Sequence, residues 1–534
     1  MLSFGGPHGG YDPTGKTVQV SMNTGTNAFP FSASSPDAWL ELTSSASSIS
    51  ATPTNVTVKV NAARLPNGIH NGLINFTAVV NGVPVNRSLP VSARVDTHKI
   101  LISDVGVALT STPSLKKLSQ TLKVRSNRGA DVGWSANSDQ TWLSATPTGI
   151  SGGDLVLTAN PSGLVANTVH YASVVVTSNS ASVTNTETVR VGLWVGSTTP
   201  GPITQLQGDR AFAVDLVRPY VYRLRNNLSS GTVTVSNLYT GNTVATIPIE
   251  PTSPFQNFVQ LNGGVVAKDG TRLYVIDGYY RRIIPIELPS FAVGTPWADG
   301  AVGSSNELEY ARSNGVGLLV SGNGRFFNPT DGTVYSTTFT PGLPGAVGEG
   351  DLVRTSQDGN LLCRQISGFL PSIFCYGLHM VSDTPNEVQL GPEKLRPVEN
   401  GSAYVRSDFA INRNGTRVYV AMTPPCCSLP GTGSEFRVFD STTAAGTMPV
   451  VQTFNHSGNA NNVEVHPDGR IFLGSEVLGA GPDVWVYGIN GAFLASYELS
   501  SSSGSLSVAS MMISGDGLRA IARSDQLLIT TISP

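Results

Sequence analysis

Charged side chains are scarce in this chain of 534 residues: 33 basic and 36 acidic residues make up 13% of it, against roughly 25% in an average soluble domain. The net charge is −3 and neither sign forms a long run, so the basic footprint that a phosphate backbone requires is missing and nucleic acid is not expected as a partner. No apolar run approaches the roughly 18 residues of a membrane span. The opening residues MLSFGGPHGG lack the basic region and apolar core of a secretory signal. No amphipathic helical pattern stands out. Cysteine is nearly absent, with Cys363, Cys375, Cys426 and Cys427 the only four. That excludes an intersheet disulfide in the first third of the chain. Cys363 and Cys375 bracket the expected hairpin RQISGFLPSIF and would either bond across it in an oxidising compartment or stay as inert thiols. The vicinal pair Cys426-Cys427 would close a strained ring or remain reduced. No spacing of the C-x-x-C or C…H kind places zinc ligands, so no metal site and no cofactor is expected.

What is abundant is glycine (57) and proline (34), with Ser, Thr, Asn and Val. Short strands and tight turns suit that mixture, because β-branched residues fit a pleated surface while Gly, Pro and Asn interrupt helices. The first 200 or so residues contain a duplication. AWLELTSSASSISATPTNVTVKVNAARLPNGIHNGLINFT, from Ala38, is echoed by TWLSATPTGISGGDLVLTANPSGLVANTVHYASVVVT, from Thr141, so a unit of about 100 residues, the size of a small sandwich domain, is present twice. Alternation such as Val56-x-Val58-x-Val60 and Leu155-x-Leu157 puts apolar side chains on one face of a strand. Trp39 and Trp142 would serve as core plugs or as platforms for sugar stacking. The order Trp-Leu, T-P turn, V-x-V-x-V, then N-x-x-x-L resembles the BACON-type Ig-like domains of bacterial surface and secreted proteins. That resemblance implies either a glycan- or mucin-binding module or an inert spacer. Residues 1–16 read as an N-terminal extension, 17–97 and 98–196 as the two sandwiches, and 197–204 as a Gly/Ser/Thr/Pro linker.

Beyond the linker a second repeat takes over. Asn414-Gly415 in INRNGTRVYVA is both a sequon and a two-residue hairpin signal. AKDGTRLYV, ARSNGVGLLV, SQDGNLL, HPDGRIFL and SGDGLRAI repeat the same pattern. Their glycines, Gly270, Gly315, Gly359, Gly415, Gly469 and Gly517, lie roughly 45 to 55 residues apart, and a degenerate copy without glycine surrounds Val217. Seven such meanders over 205–534 predict a seven-bladed β-propeller, since one sheet of this kind cannot bury both faces alone. Residues 203–207 would supply the outer strand of the last blade. The expected fold class is therefore all-β: two Ig-like β-sandwiches plus a seven-bladed β-propeller. The strings DGTRLYV and NGTRVYV resemble the YVTN or lactonase-like propellers, a likeness that implies fold more than function.

Propeller ligands sit at the channel mouth, where the innermost strands begin. The residues expected there are Gln256, Asn257, Asn306, Glu307, Glu349, Asp351, Arg406, Asp408, Asn461 and Asn462, a polar ring of mixed sign. Amides and carboxylates at a concave mouth suit sugar hydroxyls, and the alternative is a hydrated rim. If Glu307, Glu349, Asp351 and Asp408 converged they would pair as acid and base or hold a structural divalent cation. No catalytic motif of a hydrolase or P-loop enzyme occurs. Of His379, His456 and His466, the last is expected in a solvent-facing turn. The leading functional expectation is an extracellular or surface-associated, non-enzymatic protein, its propeller held on sandwich spacers and binding a glycan or an extracellular protein. The alternatives are a self-assembling surface or virion subunit and a lactonase-like hydrolase.

Overall fold

The computed structural model describes residues 2–4, 15–23, 25–128, 131–183, 185–207, 211–226, 230–251, 258–297, 307–339, 352–366, 372–380, 387–391, 394–395, 408–422, 434–443, 446–456, 459–476, 482–499, 506–524 and 526–532. Among them the helical content is a single 3-10 turn, Ala62–Arg64, and no helix is long and apolar enough to cross a membrane.

Each copy of the duplicated unit pairs two sheets over one core. In the first, Lys16–Val20, Leu40–Ser44 and Thr54–Val60 form a three-stranded sheet facing a five-stranded one built on the hairpin Gly68–Val80/Val83–Val95. The alternation seen in sequence now has its cause: Val56, Val58 and Val60 point inward against Ile74, Phe76 and Val91. The second copy repeats the topology, with Leu155 and Leu157 against Trp134, Val174 and Val189. The copies also share a parallel first strand. Leu2–Phe4 runs beside Val83–Val95, and Gly106–Ser111 beside Thr186–Val195. This corrects the reading of 1–16 as an extension, because Leu2–Phe4 completes a sheet and Phe4 is buried in the core. Trp39 and Trp142 both pack on the cores of their own units.

Among the described residues of the rest of the chain, seven sheets follow one another, each beginning with an inner strand: Ala211–Val214, Leu261–Val266, Leu308–Ser313, Leu352–Thr355, Phe409–Ile411, Asn459–Val465 and Met511–Ile513. We number these sheets blades 1 to 7. Neighbouring inner strands touch in sequence order. Blade 7 meets blade 1 through Ile521, Leu527 and Ile529 packed on Phe212 and Val214. The ring is locked by Ile203–Leu206, which pairs antiparallel with Leu527–Thr531 as the outer strand of blade 7. The six turn glycines all have positive φ, from +66° at Gly415 to +93° at Gly469, a conformation that a Cβ disfavours. In blade 1, which lacks the glycine, Asp215 holds the turn instead: its Oδ1 accepts the N–H groups of Val217 and Arg218 at 2.8 and 3.0 Å. The Asn414-Gly415 turn is longer than the two residues expected. Strands end at Ile411 and restart at Arg417, and Gly415 N–H donates to the Asn412 carbonyl at 3.0 Å.

The second unit is no distant spacer. It lies across the face of the propeller that carries these turns and touches those of blades 1, 2, 3, 4, 5 and 7. Trp194, on the outer face of its sheet and 5% exposed, packs with Phe212, Val214, Leu238 and Tyr239. Gly106 and Gly192 let the backbones meet, since a Cβ would sit 2.0 Å from the carbonyl oxygens of Lys268 and Val217 respectively. Polar contacts surround this apolar anchor. Thr110 Oγ1 donates to Asp516 at 2.5 Å, Arg312 Nη2 lies 2.5 Å from Glu187 Oε2, and Lys99 Nζ donates to the Asn314 carbonyl at 3.2 Å. Asp104 receives both Gln357 and Arg413, and His379 pairs with Asp96 at the junction of the two units. The linker is pinned as well: the carbonyls of Gly201 and Pro202 accept hydrogen bonds from Arg519 and Thr531, each at 3.0 Å.

Candidate ligand site at the centre of the propeller

All seven inner strands line a central cavity of about 340 Å³. The residues that line it include the one five positions before the turn glycine in every blade that has one: Val265, Tyr310, Arg354, Ala410, Glu464 and Met512. Four of these are apolar or aromatic. The other two bring charge to the channel, where blade 3 adds Glu307 and Glu309, and Asp408 of blade 5 is buried beside them.

Arg354 organises this group. Its Nη1 lies 3.3 Å from Glu307 Oε2 and its Nη2 3.7 Å from Asp408 Oδ1. Asp408 Oδ2 also accepts the Val463 N–H at 3.0 Å, and Glu309 accepts a hydrogen bond from Thr355 Oγ1 at 2.9 Å. Among the described residues the Glu464 carboxylate makes no hydrogen bond or ion pair. Burial raises the pKa of Glu307 to about 7 against the pull of Arg354, and that of Glu464 to about 8, where Asp408 and Glu309 add repulsion. Burial likewise raises Glu309 and Asp408. For Arg354 burial opposes the charge, but the surrounding carboxylates outweigh it and its pKa is raised. At the turn end, burial lowers the pKa of Lys268, whose Nζ donates to the Gln357 carbonyl at 3.1 Å. The cavity is therefore lined by two guanidinium groups, Arg354 and Arg523, and by carboxylates whose pKa values burial raises, an arrangement suited to recognising hydrogen-bonding or charged groups.

Of the expected mouth residues, Glu307 and Asp408 meet on Arg354. Asn461 and Asn462 do not line the cavity. Both are buried: Asn461 donates to the Leu506 carbonyl at 2.8 Å and Asn462 to that of Ser507 at 2.9 Å, tying blade 6 to blade 7. Gln256, Asn257, Asn306, Glu349, Asp351 and Arg406 lie outside the described residues, as do Cys426 and Cys427. Sequence reasoning missed Glu309, Arg354 and Glu464, although the register relative to the turn glycine marks the last two. His466 is a correction. It is buried, with Nε2 2.9 Å from the Gly517 carbonyl oxygen, because the turns of neighbouring blades pack side by side. His456 is also buried, edge-on to Trp485, and burial lowers its pKa to about 4. No group of three or more His, Cys, Asp or Glu able to hold a metal occurs among the described residues.

Cys363 and Cys375 stand directly opposite each other on adjacent strands of blade 4 and form a disulfide with no solvent exposure. Replacing both by alanine is expected to lower stability by about 2–3 kcal/mol, mainly by freeing the unfolded chain. Urea unfolding monitored by fluorescence would show this as a lower midpoint.

Comparison with known proteins places the viral BACON domain on this chain twice, over residues 8–91 and 107–192, which brackets the two duplicated units. No curated protein matches the chain. Among solved structures, the chain is similar to hydrazine synthase of Kuenenia stuttgartiensis, with 13% identity and a TM-score of 0.44 over 62% of this chain and 97% of that one. It is also similar to the β-propeller domain of Cps50 (Swd1) from Myceliophteria thermophila, with 10% identity and a TM-score of 0.43 over 62% of this chain and 100% of that one.

Proposed function

We propose that the chain is an exported, surface-associated binding protein without catalytic activity, whose propeller receives a glycan or an extracellular protein at the channel end facing away from the second unit. The observation that carries this reading is the docking: the second unit lies across the ring of turns, leaving Glu307, Arg354 and Asp408 to be reached from the other end. Charged and hydrogen-bonding groups in a concave site suit polyhydroxylated ligands. The two BACON matches support a binding or adhesion role. The buried Cys363–Cys375 disulfide supports an oxidising compartment. The DGTRLYV and NGTRVYV strings support a propeller of the YVTN class, and the two-sheet units an Ig-like build.

A glycan array, together with cross-linking to extracellular proteins, tests this with the intact chain and with Arg354→Gln. The expected result is a restricted set of ligands bound by the intact chain and lost in the variant. Absence of any ligand in both assays, or equal binding by the variant, would overturn the reading. A second reading, a structural subunit of a virion appendage, is favoured by the viral description of the matched domain. Co-purification with virus particles would support it, and sedimentation as a monodisperse monomer at high concentration would count against it.

A further inference from the structure

A second cavity, of about 170 Å³, lies between the second unit and blades 3 and 4, apart from the channel. Two guanidinium groups border it from opposite sides: Arg125, on the strand Ser119–Ser126 of the second unit, and Arg312, on the inner strand of blade 3. Arg312 is bound to Glu187. Arg125 is not comparably engaged. Its Nη1 comes no closer than 3.9 Å to Asp358 Oδ2, and Asp358 is already held by its own turn. There it accepts from Ser356 Oγ at 2.6 Å and from the Asn360 side-chain amide at 2.8 Å. The other polar groups of the wall are spent on one another. Asn127 Nδ2 donates to Asn314 Oδ1 at 3.3 Å, and His379 pairs with Asp96.

The Arg125 side chain is 41% exposed, so its Nη groups stay open to a ligand, and a guanidinium fork matches the oxygens of carboxylate, sulfate and phosphate in pairs. We propose that this junction cavity is an oxyanion site, in which Arg125, with Arg312 facing it, binds a carboxylate, sulfate or phosphate group carried by an acid sugar or free in solution. An occupant would touch the second unit and the propeller together and so tighten their docking. The site is independent of the channel and of what the channel binds.

Calorimetric titration of the intact chain at low salt with D-glucuronate, inorganic sulfate and inorganic phosphate, with glucose as the neutral control, tests the proposal. At least one oxyanion should bind and glucose should not. Arg125→Gln should weaken binding about tenfold or more. Arg125→Lys, which keeps the charge and loses the fork, should also weaken it, and it serves if the first variant does not fold. Binding of glucuronate alone points to an acid sugar as the source and binding of sulfate or phosphate to the free ion; both uphold the site. No binding of any of the three oxyanions, equal binding of glucose, or affinity unchanged in both variants overturns it.

Discussion

Replacing Trp194 by alanine is expected to cost about 3–5 kcal/mol of unfolding free energy, the usual range for removing a buried tryptophan. Its ring leaves the second unit and enters a cluster made by blade 1 and by the closing blade 7, including Phe212, Val214, Tyr239 and Ile529. The loss therefore falls on the docking of two bodies more than on the core of either. In scanning calorimetry the intact chain should unfold the second unit together with the propeller, whereas Trp194→Ala should separate them into two transitions, the first at lower temperature. Trp142, which is only partly buried against its own core, provides the contrast: Trp142→Ala should cost less and leave the transitions joined. A Trp194→Ala cost below about 1 kcal/mol, the range of an ordinary surface change, would show that the polar contacts alone hold the units together.

Replacing Arg354 by glutamine should cost about 2–4 kcal/mol at pH 8, slightly less than the loss of one partner from a fully buried ion pair, because water reaches the channel. The cost should shrink toward pH 5. Without the guanidinium, Glu307, Asp408, Glu309 and Glu464 face one another, and protonation relieves their repulsion. The same carboxylates give the intact chain a pH dependence. Glu307 and Glu464 titrate at about 7 and about 8 in the folded chain, against 4.5 as their ordinary value. Between these limits the folded state holds more protons than the unfolded one, so this contribution to stability is complete below about pH 4.5 and declines as pH rises to 8. Thermal midpoints measured from pH 5 to 8 should fall across that window, and Glu464→Gln should flatten the upper part of the slope. Midpoints that fall with pH as steeply in the variant as in the parent would contradict this assignment of the charge.

The blades were legible in sequence because their turns need a residue with positive φ, and glycine at a regular interval records that need. The two units were legible because their strands alternate and their order is copied. The docking left no such trace. It depends on Trp194 and on Gly106 and Gly192, which face outward from a sheet whose pattern describes only what faces inward, and a glycine that admits another backbone reads in sequence like any other. The channel was half legible. Glu307 and Asp408 stand where inner strands begin, but Arg354 and Glu464 lie deeper, at a position identified only by aligning the repeats on their turns. Asn461 and Asn462 were misread because an amide at a strand start serves equally well to bind a ligand or to staple one blade to the next.

The strand Ile203–Leu206 sets an order of events. Thr530 donates to Pro202 across 328 positions of chain, so the ring cannot shut until its last strands have emerged from the ribosome. Until then Ile203–Leu206 waits unpaired beside a finished second unit, and blades 1 to 6 stand as an open arc with bare edges at both ends, the condition in which sheets pair with strangers. Closure of the propeller therefore waits for Leu527–Thr531.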